Sequence, residues 1–361
     1  MNLTRLLAIV VKELRQLRRD RLTFAMILGI PTMQLLLFGF AINLDIRHID
    51  AAIVDQAQTA RSREVAADLE ATGLLALQDV PAETPAQLIE ALRQGRISVG
   101  IVLPPDLDRR LELRDRPAVQ VMVDGSDQTV QAAARQLAAL PMPGAKPAYQ
   151  GVEVVNFYNP ERRAPVNTVP GLIGLILTMT LVMFTGMALV RERERGNLEM
   201  LIATPVSPWE LTLGKVLPFV AIGLVQVTVV LLLGKLVFAV PIRGHLLEVY
   251  AAALLFIIAN LSLGILISTL ARSQFQAMQL AFFVFLPQIL LSGFMFPFAG
   301  MPRAAQWLAE VLPMTHFIRL IRGIMVRGAG LADLPGDMLA LAAIAAVLLT
   351  VSTRRMPKSL D

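Results

Sequence analysis

Residues 249–270 read VYAAALLFIIANLSLGILISTL, 22 positions without one charged side chain. An α-helix rises 1.5 Å per residue, so this run is long enough to cross the roughly 30 Å hydrocarbon core of a bilayer. Further runs with almost no charge lie on both sides of it, at 22–44, 168–190, 216–240, 280–298 and 337–353. The sequence therefore predicts an α-helical membrane protein with about six transmembrane helices.

The composition agrees with this fold class. Mean hydropathy is +0.61, 55% of the residues are hydrophobic and only 17% are charged, which is too apolar for a soluble domain of 361 residues. The net charge of +5 lies in clusters beside the apolar runs, and these clusters lack interleaved aromatic residues, so nucleic-acid binding is excluded. The chain has no cysteine, which rules out disulfides, thiol nucleophiles and cysteine-bound metals.

Basic residues predict the orientation. Lys12, Arg15, Arg18, Arg19 and Arg21 precede the first run, and the positive-inside rule places such a cluster in the cytoplasm. Six crossings return the C-terminus to the same side, where Arg354 and Arg355 agree with that placement. We expect a multi-pass protein of the bacterial inner (plasma) membrane with both termini cytoplasmic.

Residues 45–167 have ordinary polarity and predict an inserted extracytoplasmic α/β domain. Strands are indicated at 51–54, 99–103 and 119–123, and helices at 63–71, 85–93 and 129–140. Thr84, Pro85 and Gln87 fit the N-cap, N1 and N3 positions of a capping box. The run Asp124–Asp127 could hold a cation, but a turn explains it more simply.

The segment between the last two apolar runs contradicts a simple six-span pattern. Arg303, Arg319, Arg322 and Arg327 all lie there, on the predicted outer side. Apolar residues recur at helical spacing between 306 and 325, and Pro313 interrupts them. We expect an outer hairpin of two short helices at 299–327, with its arginines pointing to lipid headgroups and water.

No nucleotide-binding motif is present: the chain lacks a GxxxxGK[ST] phosphate loop. The chain is therefore predicted not to be an enzyme and to hold no cofactor, and any ATP and Mg²⁺ would be bound by a partner chain. The charged segment 191–210 between two spans is either a solvated loop with salt bridges or a short helix suited to receive force from such a partner. The residues assigned to this coupling role are Arg191, Arg193, Glu194, Arg195, Gly196, Glu199, Thr204 and Pro205.

Polar side chains inside apolar runs usually face other helices or a water-lined path rather than lipid. Helix-to-helix hydrogen bonding and a translocation path are therefore both open for them. The residues assigned to a translocation path are Gln34, Gln226, Asn260, Gln288, Ser292 and Phe294.

A series of short motifs resembles one known family along nearly the whole chain. The motifs are Val54-Asp55, Asp124-Gly125-Ser126-Asp127, Asn159-Pro160, Val169-Pro170-Gly171, Arg193-Glu194-Arg195-Gly196, Thr204-Pro205, Gly214-Lys215, Val240-Pro241, Arg243-Gly244, Ser268-Thr269, Gln276-Ala277-Met278-Gln279, Leu291-Ser292-Gly293-Phe294, Phe296-Pro297, Met301-Pro302 and Arg322-Gly323. In this order they resemble the type-2 ABC transporter permeases, in the subgroup with a large external domain between the first two spans.

The resemblance implies an amphipathic N-terminal helix at 1–21, a first span at 22–44 and a transmembrane domain at 168–361 that contains the coupling helix and a re-entrant hairpin. It implies pairing with a cytoplasmic ABC ATPase subunit and with a second permease subunit, identical or different. A periplasmic adaptor protein and membrane lipid complete the expected partners.

We therefore expect an exporter permease that moves an amphipathic drug-like or lipid-like compound with energy from a separate subunit. Two alternatives remain open: an ion-coupled secondary transporter, and a membrane anchor for an envelope partner. The first usually needs a carboxylate in the middle of a span, and the predicted spans lack one.

Overall fold

The computed structural model describes residues 49–78, 80–127, 130–132, 137, 151–194, 208–296 and 298–355. The predicted N-terminal helix and first span, 1–21 and 22–44, lie outside the described residues. Within the described residues the chain divides into an α/β domain followed by a helical membrane domain.

The α/β domain is built on one mixed sheet. Its elements are β1 (Ile49–Asp55), α1 (Ala60–Ala71), β2 (Leu75–Leu77), α2 (Pro85–Arg93), β3 (Val99–Leu103), α3 (Leu107–Leu113), β4 (Val119–Asp124) and β5 (Val152–Phe157). The strand order is β2-β1-β3-β4-β5, and neighbouring strands are parallel except β3 and β4, which are antiparallel. The predicted α/β class of this segment is confirmed.

The sequence shows why these elements form. Every side chain of β3 is buried, as expected for a central strand covered on both faces. The predicted capping box of α2 is present: Gln87 N donates to Thr84 Oγ1 and Thr84 N donates to Gln87 Oε1. The helix predicted at 129–140 lies mostly outside the described residues, although 130–132 and 137 are helical.

The described part of the chain contains five helices that are long and apolar enough to cross a membrane. They are α4 (Ala164–Glu194), α5 (Pro208–Leu236), α6 (Leu246–Leu270), α7 (Gln274–Leu291) and α10 (Pro335–Arg355), with α8 and α9 defined below. The uncharged run 249–270 lies in α6, the most buried of the five. Phe256 of α6 stacks on Phe317 with 4.2 Å between ring centroids.

The fifth predicted span, 280–298, is wrong at both ends. The helix begins earlier because Ser273 caps it, accepting a hydrogen bond from Gln276 N at 3.2 Å. It ends at Leu291 because Gly293 takes a left-handed conformation, φ +79°, that turns the chain away.

The segment after α7 forms the two predicted short helices, α8 (Arg303–Glu310) and α9 (Pro313–Arg322). Pro313 is the first residue of α9, where its missing N–H costs nothing. A π-helical turn, Gly323–Arg327, and a 3₁₀ turn, Leu331–Asp333, lead into α10. Residues 298–334 are called the hairpin from here on.

Candidate functional site

An apolar groove of about 470 Å³ lies between α4 and α7. Its lining consists almost wholly of methionine, phenylalanine and aliphatic side chains, and Met179 and Phe282 are among those that remain exposed. Thr178 Oγ1 and Gln279 Oε1 are buried there without a hydrogen-bond partner among the described residues. Flexible thioethers and aromatic rings with a few polar atoms suit an amphipathic molecule.

The structure does not bring the described path residues together on this groove, because Gln226, Asn260, Gln288, Ser292 and Phe294 are all absent from its lining. Gln226 Oε1 accepts a hydrogen bond from Thr180 of α4 at 2.9 Å, which is the helix-to-helix role. Asn260 donates to Phe256 O of its own helix at 2.9 Å, and its Oδ1 lacks a partner in the described residues.

Three further path residues, Gln288, Ser292 and Phe294, lie at or just beyond the end of α7. Gln288 is fully buried, and both its amide atoms lack partners within the described part of the chain. Ser292 Oγ donates to Ile289 O at 3.4 Å. Phe294 packs onto α4, where a Cβ at Gly171 would lie 2.1 Å from its ring. Gln34 lies outside the described residues.

Sequence reasoning missed Thr178 and Gln279 as candidate binding residues. Both are polar residues in apolar segments, the same signal that singled out Gln288. Gln279 also belongs to the Gln276–Gln279 motif, so that signal was present in the sequence.

The predicted coupling residues begin at the end of α4. Glu194 accepts two hydrogen bonds from Gln274, from N at 3.0 Å and from Nε2 at 2.6 Å, so it caps the start of α7. Arg191 Nε donates to Gln274 Oε1 at 3.1 Å, and Arg193 donates to Ala271 O. The end of α4 is thereby fixed to the turn between α6 and α7.

The structure describes only the two ends of the predicted coupling helix, 191–210, so that helix stays a prediction. Residues 191–194 are the last turn of α4, and 208–210 are the first residues of α5. Arg195, Gly196, Glu199, Thr204 and Pro205 lie outside the described residues.

Ion pairs join the α/β domain to the hairpin. Arg327 Nη1 lies 3.3 Å from Asp124 Oδ2, and Arg322 Nη1 lies 3.4 Å from Asp127 Oδ2. These arginines were expected to point to headgroups and water. That expectation is wrong for Arg322 and Arg327, because both side chains are largely buried against carboxylates at the end of β4.

A polar cavity of about 530 Å³ occupies this junction. Its lining combines side chains of the α/β domain, the hairpin and the start of α10, and it includes Arg319, Arg322, Arg327 and five aspartates. Burial raises the pKa of one of these, Asp50, although a hydrogen bond from Gln78 at 2.7 Å partly opposes that rise. Water rather than apolar packing suits such a space.

Hydrogen bonds from nearby residues and from the start of α4 hold the turn Asp124–Asp127. Ser126 N donates to Asp124 Oδ1 at 2.9 Å, which confirms the predicted turn. Gln131 Nε2 donates to Gly125 O at 2.7 Å. Asn167, at the start of α4, donates to the same oxygen at 3.0 Å when its side-chain amide is oriented so that its nitrogen faces that oxygen. A Cβ at Gly125 would lie 2.3 Å from Phe157 O, so only glycine fits.

A second polar cluster ties α9 to α10. His316 is buried, with Nδ1 2.9 Å from Asp337 Oδ1 and Nε2 2.8 Å from Glu310 O. Arg319 Nη2 donates to Glu310 Oε1 at 2.6 Å, and its guanidinium lies 4.4 Å from the ring centroid of Phe298. Burial lowers the pKa of His316, but the bond to Asp337 and the Glu310 carbonyl outweigh it, so the pKa is raised overall.

Comparison with known proteins agrees with this architecture. The family model described as "ABC-2 family transporter protein" matches residues 21–354. The probable multidrug ABC transporter permease YbhS of Escherichia coli (strain K12) is 28% identical over 370 residues, which cover 99% of this chain and 98% of that protein.

Two further relatives come from the same organism. The probable multidrug ABC transporter permease YbhR is 29% identical, with 91% of each chain covered. The inner membrane transport permease YhhJ is 27% identical, with 97% of this chain and 96% of that protein covered. Since the family model spans most of the chain and agrees with its apolar helices, the protein belongs to the ABC-2 family of transporter proteins.

Proposed function

We propose that this chain is the permease subunit of an exporter that moves an amphipathic drug-like or lipid-like compound out across the inner membrane. The observation that carries the proposal is the groove between α4 and α7. A groove of methionine and phenylalanine side chains inside a membrane domain accepts varied apolar molecules, because these side chains repack easily. The unpartnered atoms of Thr178 and Gln279 would bind a polar group.

Energy would come from a separate ABC ATPase subunit that binds ATP and Mg²⁺. The absence of a phosphate loop from the sequence supports this division, and so do the names of the relatives, two of which are called multidrug ABC transporter permeases. A second permease subunit, identical to this chain or different from it, would complete the assembly. A periplasmic adaptor protein is a further candidate partner.

In this proposal the end of α4 and the segment after it face the ATPase in the cytoplasm, and the α/β domain lies outside. The chain has no cysteine, so single cysteines report on topology without background labelling. Glu64 is exposed on α1, and Arg355 is exposed at the end of α10. With the inner membrane intact, Glu64→Cys should react with an impermeant maleimide and Arg355→Cys should not. The reverse pattern would overturn the orientation.

The function is tested in inside-out vesicles that contain the chain with its copurifying ATPase. The probes are a rhodamine dye and a fluorescent short-chain phospholipid. We expect ATP-dependent uptake, and we expect Met179→Ala or Phe282→Ala to reduce it. The matched control is Leu232→Ala, an equally exposed apolar residue of α5 outside the groove.

Uptake that follows an ion gradient without ATP would instead support the secondary transporter. The vesicles could instead hydrolyse ATP but move neither probe, whether they contain the parent or a groove variant. That result would contradict an exporter of amphipathic compounds.

A further inference from the structure

The contact between the α/β domain and the hairpin is polar. Among the described residues, three ion pairs cross it: Asp124 with Arg327, Asp127 with Arg322, and Asp333 with Arg93. Within the described residues, no buried apolar cluster that contains side chains of β1–β4 also contains a residue of the hairpin. An interface made of charges around a polar cavity separates at lower cost than an apolar one, so relative motion of its two sides is the default expectation.

The contacts within the two central pairs are long. Arg327 Nη1 lies 3.3 Å from Asp124 Oδ2 and Arg322 Nη1 lies 3.4 Å from Asp127 Oδ2, whereas charge-assisted bonds usually measure about 2.7–2.9 Å. The buried Nε atoms of Arg322 and Arg327 have no acceptor among the described residues. Unused donors next to a polar cavity give both guanidinium groups room for a second arrangement.

The same arginines are connected to the membrane helices. Arg322 Nη1 also donates to Gly293 O at 3.2 Å, in the bend that ends α7. Arg327 ends a π-helical turn, a geometry with irregular hydrogen bonding that often marks functional positions. Gly244 N and Arg243 N, from the loop between α5 and α6, donate to Ile324 O and Met325 O of that turn at 3.0 and 2.9 Å. A shift of α5, α6 or α7 therefore acts directly on the ion pairs.

We propose that the pairs Asp124–Arg327 and Asp127–Arg322 form a latch that holds the α/β domain on the hairpin and releases it when the membrane helices rearrange. Its role in a transport cycle rests on the proposed function. Its role in holding the domain does not, since it follows from the contacts alone.

The holding role is tested by electron–electron distance measurement on the purified full chain in nanodiscs. Spin labels are attached through Glu64→Cys on α1 and Ala304→Cys on α8, both exposed positions. We expect one narrow distance distribution in the parent and a broader, longer one after Arg322→Gln with Arg327→Gln. The charge-swapped pair Asp127→Arg with Arg322→Asp should give a narrower distribution than either single change.

A matched control is Arg61→Gln, which breaks the exposed pair with Glu112 inside the domain and should leave the distribution unchanged. An unchanged distribution in the Arg322/Arg327 variant would overturn the latch.

The release is tested with the ATPase subunit bound and trapped by vanadate and ATP. A longer distance than in the nucleotide-free complex supports release, and an identical distance refutes it. Should no ATPase subunit assemble with the chain, the proposed function fails, while the distances measured on the chain alone still decide whether the latch holds the domain.

Discussion

Asp124 at the end of β4 and Arg327 at the end of the π-helical turn form an ion pair at 3.3 Å across 203 positions of sequence. Their side chains are 5% and 12% exposed. Three motifs that are far apart in the sequence also have residues at this junction: Asp124–Asp127, Leu291–Phe294 and Arg322-Gly323.

The first prediction concerns the stability of this junction. Arg327→Gln leaves a buried carboxylate at Asp124 without its cation, which typically costs ~3–5 kcal/mol. Thermal unfolding of the purified chain should therefore shift to a clearly lower temperature. Asp124→Asn combined with Arg327→Gln should cost less than the sum of the single changes, because the pair is then neutral on both sides. Additive losses would show that the two side chains do not interact.

Arg61→Gln is the control for these unfolding measurements. Its partner is Glu112, and the two side chains are 52% and 68% exposed, so water screens the pair. We expect a loss of about 1 kcal/mol or less.

The second prediction is a pH dependence that originates at His316. The usual imidazole pKa is 6.5, and the folded protein raises it, so the folded state binds the proton more tightly than the unfolded chain. The stabilisation is fully present below pH 6.5 and is lost as pH rises through the folded-state pKa. Asp337 and Glu310 contact the ring, and Arg319 pairs with both of these carboxylates.

The measurement is the unfolding temperature of the parent minus that of His316→Gln, taken from pH 5.5 to 8.5 by steps of about 0.5, a range that brackets ordinary imidazole titration. This difference should shrink toward high pH. His245→Gln, at an exposed position before α6, is the control and should give a flat difference. A flat difference for His316→Gln as well would contradict the prediction.

The third prediction places α8 at the membrane surface. Trp307 is 74% exposed, and Leu308 and Val311 are exposed beside it, while Ala309 on the opposite face is buried. An exposed apolar face with a tryptophan is typical of helices in the headgroup region. The chain has two tryptophans, so Trp209→Phe leaves Trp307 as the single fluorophore.

Fluorescence of that variant in bilayers should be quenched most by lipids brominated near the headgroup. Lipids brominated near the chain ends should quench it less. Strong quenching by aqueous acrylamide with no effect of either lipid would place α8 in water and refute the assignment.

The fourth prediction concerns Glu194. Glu194→Lys removes an acceptor from the start of α7 and puts a cation at a helix N-terminus, which the helix dipole disfavours. Export should fall even though the chain still inserts into the membrane. The control is Glu153→Lys, the same change at an exposed position of β5.

Gln274→Ala separates the two explanations for such a loss. If Glu194 acts through α7, Gln274→Ala reduces export in the same way. If Glu194 binds the ATPase directly, only Glu194→Lys weakens assembly of the two subunits, as measured by copurification. Export equal to that of the parent in both variants would rule out a role for this position.

Much of the architecture was predictable from local patterns. Apolar runs revealed five of the described helices, since a chain in lipid must satisfy its backbone within helices. Alternation and buried runs located β1, β3 and β4, and the capping box at Thr84 fixed the start of α2. The motif order was sufficient to indicate the family. These features depend on residues that are close in sequence, so the sequence by itself determined them.

The partners of charged side chains were decided only by the tertiary structure. Arg322 and Arg327 look like any arginines beside a membrane span, and nothing local shows that Asp124 and Asp127 neutralise them. Likewise, the groove between α4 and α7 exists because two separate helices pack side by side, and they leave Thr178 Oγ1 and Gln279 Oε1 without a hydrogen-bond partner in the described part of the chain. Ion pairs and cavities depend on contacts between segments that are distant in the sequence. The physical reason is that the partner of a charge and the walls of a cavity come from other parts of the chain, and a local sequence pattern does not specify them.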